Sequence, residues 1–137
     1  MSHLPAIIEK VGFPFHWKEK EVWELDIPVE EMDINELVWH FDIPFWQTDG
    51  GRYDLKPIEV INNLDQYKHH KKRINQADIS YPLDVLNNPK TGYWTLLDGL
   101  HRLVRLYLDG NSLVNVRKIS MDDIKKTPGY TELRNHK

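Results

Sequence analysis

Five consecutive residues, Asp98-Gly99-Leu100-His101-Arg102, place an acid, a glycine and two bases where an apolar strand gives way to a helix. The positive end of the helix macrodipole disfavours cations, so His101 and Arg102 are poorly placed for helix stability alone. A bound anion would reverse this penalty, because free backbone N–H groups, the dipole and the guanidinium would all point at it. The pattern therefore predicts an anion-binding turn. In it, Gly99 lets the ligand approach the backbone, and Asp98 caps the helix or holds a metal that accompanies a phosphate.

The same residues also have a purely structural interpretation. Asp-Gly is a common strand-to-helix turn, in which Asp98 is only a cap. His101 and Arg102 would then be solvated, or would form salt bridges with acids such as Asp84 or Glu59. Both interpretations place His101 and Arg102 on the polar side of the helix, away from its apolar arc.

A second group of candidate residues lies in the basic cluster YKHHKKR, residues 67–73. Apolar spacing predicts a helix over residues 64–77, and it leaves His70 and Arg73 off the inward face. In the functional interpretation His70 or Arg73, or both, reach the same anion as the turn at Gly99; in the structural interpretation the cluster is a solvated face. Nucleic-acid binding through these bases is a weaker expectation, because the net charge of the chain is -3.

Two acids, Asp42 and Glu59, are the candidates for a catalytic base or a metal ligand. The histidines predict no zinc site, because adjacent histidines point in different directions on a helix and no His-x-x-x-His spacing occurs. The chain has no cysteine, which excludes thiolate catalysis and cysteine-based metal sites. We expect no zinc, haem or flavin, and Asp98 is the position at which Mg²⁺ would bind.

The composition predicts one folded domain that covers residues 1–137. A chain of 137 residues is long enough for one domain with a core and too short for two ordinary domains. Its 40% apolar and 28% charged residues are typical of a folded soluble protein. The N-terminus lacks the pattern of a signal peptide, and no apolar run approaches the roughly 18 residues needed to span a bilayer. We therefore expect a cytoplasmic protein without a membrane partner.

Periodicity and turn signals predict an α+β fold with a mixed sheet. Its clearest part is a hairpin with strands at 81–86 and 93–97. The second of these strands, a helix at 100–108 and a strand at 113–119 resemble a β-α-β unit. The other predicted elements are a strand at 22–27, a short helix at 33–40, a helix or extended segment at 57–62, an irregular arm at 1–20, and a partly ordered tail at 120–137 with a short helix capped by Ser120.

The DGLHR turn and its flanking elements resemble the core signature of the ParB/sulfiredoxin superfamily. In that family a strand leads into a Gly-x-His-Arg or Gly-Glu-Arg-Arg turn, and the following helix cradles nucleotide phosphates. Here an apolar strand precedes the turn and LVRLYLDGNSLVNVRKI follows it, so the resemblance covers most of residues 22–119. It implies a ParB/sulfiredoxin-like mixed sheet in which Gly99, His101 and Arg102 contact phosphate. Asp98 lies where the family often has an acid or a glycine.

The sequence departs from the better-known members at points that bear on activity. Sulfiredoxins have their catalytic cysteine where this chain has Leu100, so sulfinic acid reduction is excluded. ParB-type partition proteins continue into a helix-turn-helix domain, which is not expected in the about 18 residues that follow residue 119. Free-serine kinases have an Asp-Gly-x-His-Arg turn and also need a carboxylate base, which the sequence does not place. The resemblance is closest to small stand-alone bacterial or phage members.

The turn and the resemblance together predict a phosphate- or nucleotide-binding protein. If it is an enzyme, it would use ATP or CTP with Mg²⁺ in phosphotransfer or nucleotide hydrolysis. The alternative is a non-enzymatic binding module for DNA or a protein partner, which keeps the fold and lacks the catalysis. The intact DGLHR turn favours the first, and the lack of a placed base favours the second. The sequence leaves the oligomeric state open.

Overall fold

Six α-helices and six strands lie within residues 4–133, the part of the chain that the computed structural model describes. The helices are α1 (Ala6–Val11), α2 (Glu19–Trp23), α3 (Pro57–Asn62), α4 (Lys68–Gln76), α5 (Leu100–Leu108) and α6 (Met121–Lys125). The strands are β1 (Phe15–His16), β2 (Val29–Asp33), β3 (Leu83–Asn87), β4 (Trp94–Asp98), β5 (Leu113–Lys118) and β6 (Thr131–Glu132). Short 3-10 helices cover Ile34–Glu36, Val38–Asp42 and Leu64–Gln66. No helix in this part of the chain is long and apolar enough to cross a membrane.

Four strands form one mixed sheet in the order β2-β5-β3-β4, which confirms the predicted α+β class. β3 and β4 are the predicted hairpin and pair antiparallel, with a register shift between Asp84 and Val85. β5 pairs parallel with β3 and antiparallel with β2. β4 and β5 are therefore antiparallel to each other, with β3 between them, so β4, α5 and β5 do not form the expected parallel β-α-β unit. β1 and β6 pair separately.

Apolar side chains cover both faces of this sheet and hold α5 in place. On one face, α3, α4 and α5 pack on the sheet through Val60, Ile74, Leu83, Val85, Leu103, Val104, Val114 and Val116. On the other face, the N-terminal segment and α6 pack on it through Phe13, Phe15, Val22, Leu86, Leu97, Ile119 and Ile124. Because Leu103 and Val104 are fully buried, α5 lies along the sheet with its first turn at the end of β4.

Side chains from the first half of the chain close the outer edge of β4. The indole Nε1 of Trp39 donates to the carbonyl oxygen of Trp94 at 3.1 Å, and the amide of Leu96 donates to Nε2 of His40 at 3.1 Å. Nε1 of Trp17 donates to the next carbonyl oxygen along the strand at 3.2 Å. These bonds occupy the backbone groups that a partner strand would need, so this edge does not extend the sheet.

The prediction of a strand at residues 22–27 was wrong. α2 occupies its first residues, and β2 starts only after Pro28. The physical reason lies in β5: the guanidinium of Arg117 donates to the carbonyl oxygens of Val22 and Leu25 and holds this segment beside the sheet. The alternation of apolar and polar residues there reflects a helix end and a loop that pack on the core.

The helix predicted at residues 64–77 is interrupted. Tyr67 has φ -114° and ψ 66°, and α4 begins only after it. The break changes the phase of the helix, so its buried residues are His70 and Ile74. The expectation that His70 lies off the inward face was therefore wrong.

Two further segments contain shorter helices than the patterns indicate. The helix predicted at 33–40 consists of two 3-10 helices, and Asp33 caps the first, because its Oδ1 accepts from the amide of Asn35 at 2.9 Å. Residues 57–62, for which the sequence allowed a helix or an extended segment, form α3.

The start of the chain contains more regular structure than predicted, and the segment near its end contains the predicted helix. The arm at 1–20 contains α1 and β1 in its described part. Ser120 Oγ accepts from the amide of Asp123 at 3.0 Å and caps α6, as predicted. The final residues of the predicted tail, 134–137, lie outside the described part of the chain.

Candidate functional site

The turn between β4 and α5 takes its shape from Gly99, the N-cap of the helix, which has φ 107°. Glycine adopts this left-handed conformation easily, whereas a side chain would strain it. The neighbouring acid does not cap the helix, contrary to the prediction. Oδ2 of Asp98 instead accepts a hydrogen bond from the indole Nε1 of Trp23 at 3.0 Å. No side chain among residues 4–133 bonds to the first turn of α5, so its free N–H groups are open to water or a ligand.

Replacing Gly99 with alanine is expected to destabilise the fold more than the same change at Gly110. Both glycines have positive φ, 107° and 85°, so alanine costs about 1–2 kcal/mol at either position. A Cβ at Gly99 would also lie 3.0 Å from Nη1 of Arg102 and 3.0 Å from Cδ2 of Leu83, while nothing lies within 4 Å at Gly110. Urea unfolding should show a further loss of roughly 1–2 kcal/mol for Gly99→Ala. Equal losses would contradict the close approach of Arg102.

Two backbone carbonyls hold the guanidinium of Arg102 beside this turn. Its Nε donates to the carbonyl oxygen of Asp78 at 3.1 Å, and its Nη1 donates to that of Pro82 at 3.3 Å. An arginine has five N–H donors, so about three remain for a ligand. Arg102 faces a cavity of about 660 Å³. The cavity is lined by Trp23, Leu25, Asp26, Ile27, Val29, Asp78, Tyr81, Pro82, Asp84, Arg102 and Arg117.

A buried ion pair forms part of the cavity wall. Nη1 of Arg117 donates to Oδ1 of Asp84 at 2.9 Å, and the two side chains are 11% and 5% exposed. The pKa of the Asp84 carboxyl is raised, mainly by burial and also by the nearby carboxylate of Asp98. The positive charge of Arg117 offsets part of this rise. The charge of Arg117 is thus matched within the protein, and Arg102 is the lining cation with donors to spare.

His101, the other base of the turn, does not line this cavity and packs against Trp46 and His70. The Trp46 ring lies 4.2 Å from the His101 ring and 4.6 Å from the His70 ring, and all three are nearly parallel. Nδ1 of His70 lies 3.0 Å from Nε2 of His101, and Nε2 of His70 lies 3.0 Å from the carbonyl oxygen of Gln47. The structure therefore brings His70 to His101, as expected, but joins neither of them to Arg102.

The hydrogen bonds of this pair fix one proton position. A carbonyl only accepts, so Nε2 of His70 donates to the carbonyl of Gln47, and a second hydrogen bond joins Nδ1 of His70 to Nε2 of His101. Nδ1 of His101 has no partner within residues 4–133; since no buried side-chain polar atom there is unpaired, it faces solvent. Burial lowers the pKa of His101 to about 3, helped by Arg73, His70 and His69. His101 is therefore neutral at pH 7 and does not supply the positive charge expected of it.

The remaining predicted residues lie apart from the cavity. Arg73 is exposed on α4, close enough to His101 to lower its pKa. Asp42 is exposed at the end of a 3-10 helix, and Oε2 of Glu59 accepts from the amide of Lys56 at 2.8 Å at the start of α3. Neither acid lines the cavity, so neither is placed to act as a base there.

Sequence reasoning missed most of the residues that line the cavity, among them Trp23, Asp26, Tyr81 and Arg117. They come from distant parts of the chain, so no local motif contains them. The two aromatic residues lie in segments whose pattern predicted strands, and a strand pattern does not indicate a cavity. The one local signal is Asp84, which interrupts the apolar run of its strand, whereas Arg117 lies in a strand that also contains Asn115 and Lys118. Charged residues at such positions are typical of a buried ion pair.

The carboxylates beside the turn do not fit a magnesium ion held by the protein alone. No set of three or more metal-ligating side chains within residues 4–133 is arranged to hold a metal ion. Asp98, the expected Mg²⁺ ligand, is bonded to Trp23, and Asp84 is bonded to Arg117. No chemical step through a metal is therefore derived from these residues.

Comparison with known proteins gives no family for this chain. No family model, curated protein or solved structure matches it. The resemblance to the ParB/sulfiredoxin superfamily therefore stays a prediction, and the functional conclusion depends on the geometry of the cavity.

Proposed function

We propose that this protein binds a phosphorylated small molecule of nucleotide size in the cavity beside the Gly99 turn. The observation that carries the proposal is the position of Arg102, at the start of α5, with free N–H donors in a cavity of about 660 Å³. Ligand pockets commonly have volumes of roughly 300–1,000 Å³ and a few convergent polar groups. A phosphate bonded to Arg102 would also approach the unbonded N–H groups of the first turn of α5.

The walls of the cavity favour an aromatic ring on the same ligand. Trp23 and Tyr81 line it with 56% and 63% of their surface exposed, although large aromatic side chains usually bury most of theirs. Stacking of a nucleic-acid base on such a side chain contributes about 1–3 kcal/mol. The carboxylate of Asp26 can accept hydrogen bonds from amino or hydroxyl groups. A nucleotide has all three kinds of group: phosphate, base and hydroxyl.

The charges in the cavity favour a ligand with one phosphate over a triphosphate. Asp84 pairs with Arg117, whereas Arg102 forms no salt bridge within residues 4–133. Asp26 and Asp78 also line the cavity, and the charge of Arg102 helps to lower the pKa of Asp78, so the lining offers little positive charge for three phosphates. A triphosphate such as ATP or CTP, which the superfamily resemblance implies, would need Mg²⁺ to offset its charge.

Phosphotransfer or nucleotide hydrolysis is the activity that a ParB/sulfiredoxin-like fold would imply for this site. It needs a carboxylate near the phosphate that accepts a proton or orients water. Among the lining acids, Asp78 is bonded to Ser80 and Asp84 to Arg117. Asp26 makes no side-chain bond within residues 4–133, so Asp26→Asn is the variant that would separate turnover from binding.

A non-enzymatic module for DNA or a protein partner is the alternative, and α4 is the feature that favours it. Lys68, Lys72 and Arg73 are exposed on this helix and form no salt bridge within residues 4–133. Phosphate contacts through these bases would weaken as salt rises. A flat titration against duplex DNA at low salt would exclude this alternative.

Thermal unfolding with AMP, CMP, inorganic phosphate, and ATP or CTP with Mg²⁺ tests the proposal. A ligand at about 100 times its Kd stabilises the folded state by about 2.7 kcal/mol, so we expect a nucleotide to raise Tm. Arg102→Ala should abolish the shift. Arg105→Ala is the matched control, because Arg105 lies on the same helix and bonds to Asp109 and to the carbonyl of Asn75 outside the cavity. The proposal would be overturned if none of these ligands raised Tm, or if Arg102→Ala and Arg105→Ala reduced the ligand-induced rise in Tm equally.

A further inference from the structure

β2 forms the second edge of the sheet, and the outer side of this strand is open. The amide of Ile34 donates to the carbonyl oxygen of Ser112 at 2.9 Å and continues the antiparallel pairing of β2 with β5. Directly opposed residues in such a ladder alternate between bonded and non-bonded pairs. The backbone N–H and C=O groups of Val29, Glu31 and Asp33 therefore point away from β5.

These outward groups have no partner in the part of the chain between residues 4 and 133. Among the described residues, no strand lies beyond β2, and no backbone or side-chain group bonds to that side of it. β4 differs, because Trp17, Trp39 and His40 close its outer edge. Every residue of β2 except Met32 is exposed. An open row of backbone groups of this kind is a template for pairing with another chain.

The side chains along this edge carry charge of one sign. Residues 24–36 contain six acids and neither lysine nor arginine. Glu30, Glu31 and Asp33 of β2 are all exposed, and Lys118 of β5 lies 3.6 Å from Glu30. Like charges directly opposite each other destabilise a strand pair. A second copy of β2 is therefore a poor partner for this edge, whereas a strand with lysine or arginine is complementary to it.

Exposed apolar side chains flank the acids on one face of this edge. Val29 and Leu113 are 55% and 53% exposed. Leu113 pairs with Asp33, so it shares a face with Val29 and Glu31 under the alternation of a strand. A partner strand that combines basic with β-branched residues would contact both kinds of group.

We propose that the open edge of β2 docks an extended, basic segment of a partner protein, which adds to the sheet as a fifth strand. Main-chain hydrogen bonds to Val29, Glu31 and Asp33 supply affinity. Lysine or arginine side chains beside the carboxylates supply specificity. Val29 also lines the cavity, so the docking edge adjoins it, but the main-chain pairing needs no ligand there.

Amide hydrogen exchange with a short acetylated peptide of alternating lysine and valine tests the docking. At low salt we expect slower exchange at the amides of Val29, Glu31 and Asp33, while those of Glu30 and Met32 change less because they already bond to β5. Binding should weaken as salt rises, since exposed charges are screened. The control peptide alternates glutamate with valine and should not bind. Absence of binding by the lysine peptide, or protection without this alternation, would overturn the proposal.

The variant Glu31→Pro separates main-chain pairing from charge. It removes an outward N–H and no bond of the sheet, and edge strands tolerate proline, so unfolding in urea should change little. Peptide binding should weaken at least about tenfold. Glu31→Gln keeps the N–H and loses the charge, so it should weaken binding less and flatten the salt dependence.

N-methylation of the peptide tests the same main-chain hydrogen bonds without changing the protein, so its result does not depend on whether Glu31→Pro folds normally. The lysine peptide N-methylated at alternate residues cannot pair along that edge and should not bind wild-type protein. Binding that survives N-methylation in both registers would overturn the proposal. Sedimentation that shows the protein pairing with itself through β2 would overturn it as well.

Discussion

Replacing Arg117 with leucine is expected to lower the free energy of unfolding by about 3–5 kcal/mol. The change leaves the carboxylate of Asp84 buried without its cation, because these side chains are 5% and 11% exposed and 2.9 Å apart. It also removes the donor to the carbonyl oxygens of Val22 and Leu25. An acceptor left without a partner adds to the loss. Urea unfolding followed by tryptophan fluorescence measures the effect.

Two further variants distinguish the ion pair from packing. Asp84→Leu in the Arg117→Leu background removes the unpaired charge and should recover part of the lost stability. Arg105→Leu breaks the more exposed pair with Asp109, whose side chains are 32% and 41% exposed, and should cost about 0–1 kcal/mol. A double variant no more stable than Arg117→Leu would show that the buried carboxylate is not the source of the loss.

Acidification from about pH 7 to about pH 5 is expected to destabilise the protein through His40 and His101. Burial lowers the pKa of His40 to about 4 and that of His101 to about 3, from 6.5. Below pH 6.5 the unfolded chain therefore binds protons that the native state does not. Stability present at neutral pH is lost as the pH falls, by up to about 1.4 kcal/mol per pH unit for each histidine.

The surroundings of each ring explain this sensitivity. Nδ1 of His40 donates to the carbonyl oxygen of Leu37 at 2.7 Å, so a protonated ring would lose the Nε2 acceptor that receives the amide of Leu96. For His101, the positive charge of Arg73 opposes protonation in addition to burial. Burial raises the pKa of Asp84, so protonation of this carboxyl stabilises the folded state as the pH falls, which opposes the effect of the two histidines. The expected loss of stability therefore applies between about pH 7 and about pH 5.

Urea unfolding at steps between pH 7 and pH 5 measures the slope of stability against pH. His101→Gln removes one of the two groups and should reduce the slope by about half, with the contribution of His40 left. The variant is compared with wild type by this slope and not by stability at a single pH, because losing the contact with Trp46 lowers stability at every pH. A wild-type profile that is flat over this range would contradict the burial of both rings as neutral groups.

Local patterns were sufficient for the part of the fold that carries the candidate site. The hairpin, α5 and β5 follow from strand alternation, turn residues and the helical spacing of leucine and valine, all of which act between near neighbours. The placement of Gly99 and Arg102 at one turn follows from the same spacing. The mixed sheet was also predictable as a class, but the position of β3 between β4 and β5 depends on pairing between distant segments.

The rest of the site depends on contacts that no local pattern contains. The orientation of His101 is set by Trp46 and His70, which approach from a loop and from another helix. The break at Tyr67 rotates His70 inward, and no turn signal marks that break in the sequence. Arg117 was visible only as a polar residue in a strand, and its role became clear once β5 was seen to pair with β3, which places it beside Asp84.

The closed edge of β4 has a consequence for stoichiometry. A sheet with two open edges can add strands at both sides and grow into a fibre. In the part of the chain that the structure describes, the side chains of Trp17, Trp39 and His40 close one side, which leaves β2 as the edge for strand addition. An added strand would therefore end in a one-to-one complex, and the sheet cannot polymerise through both edges.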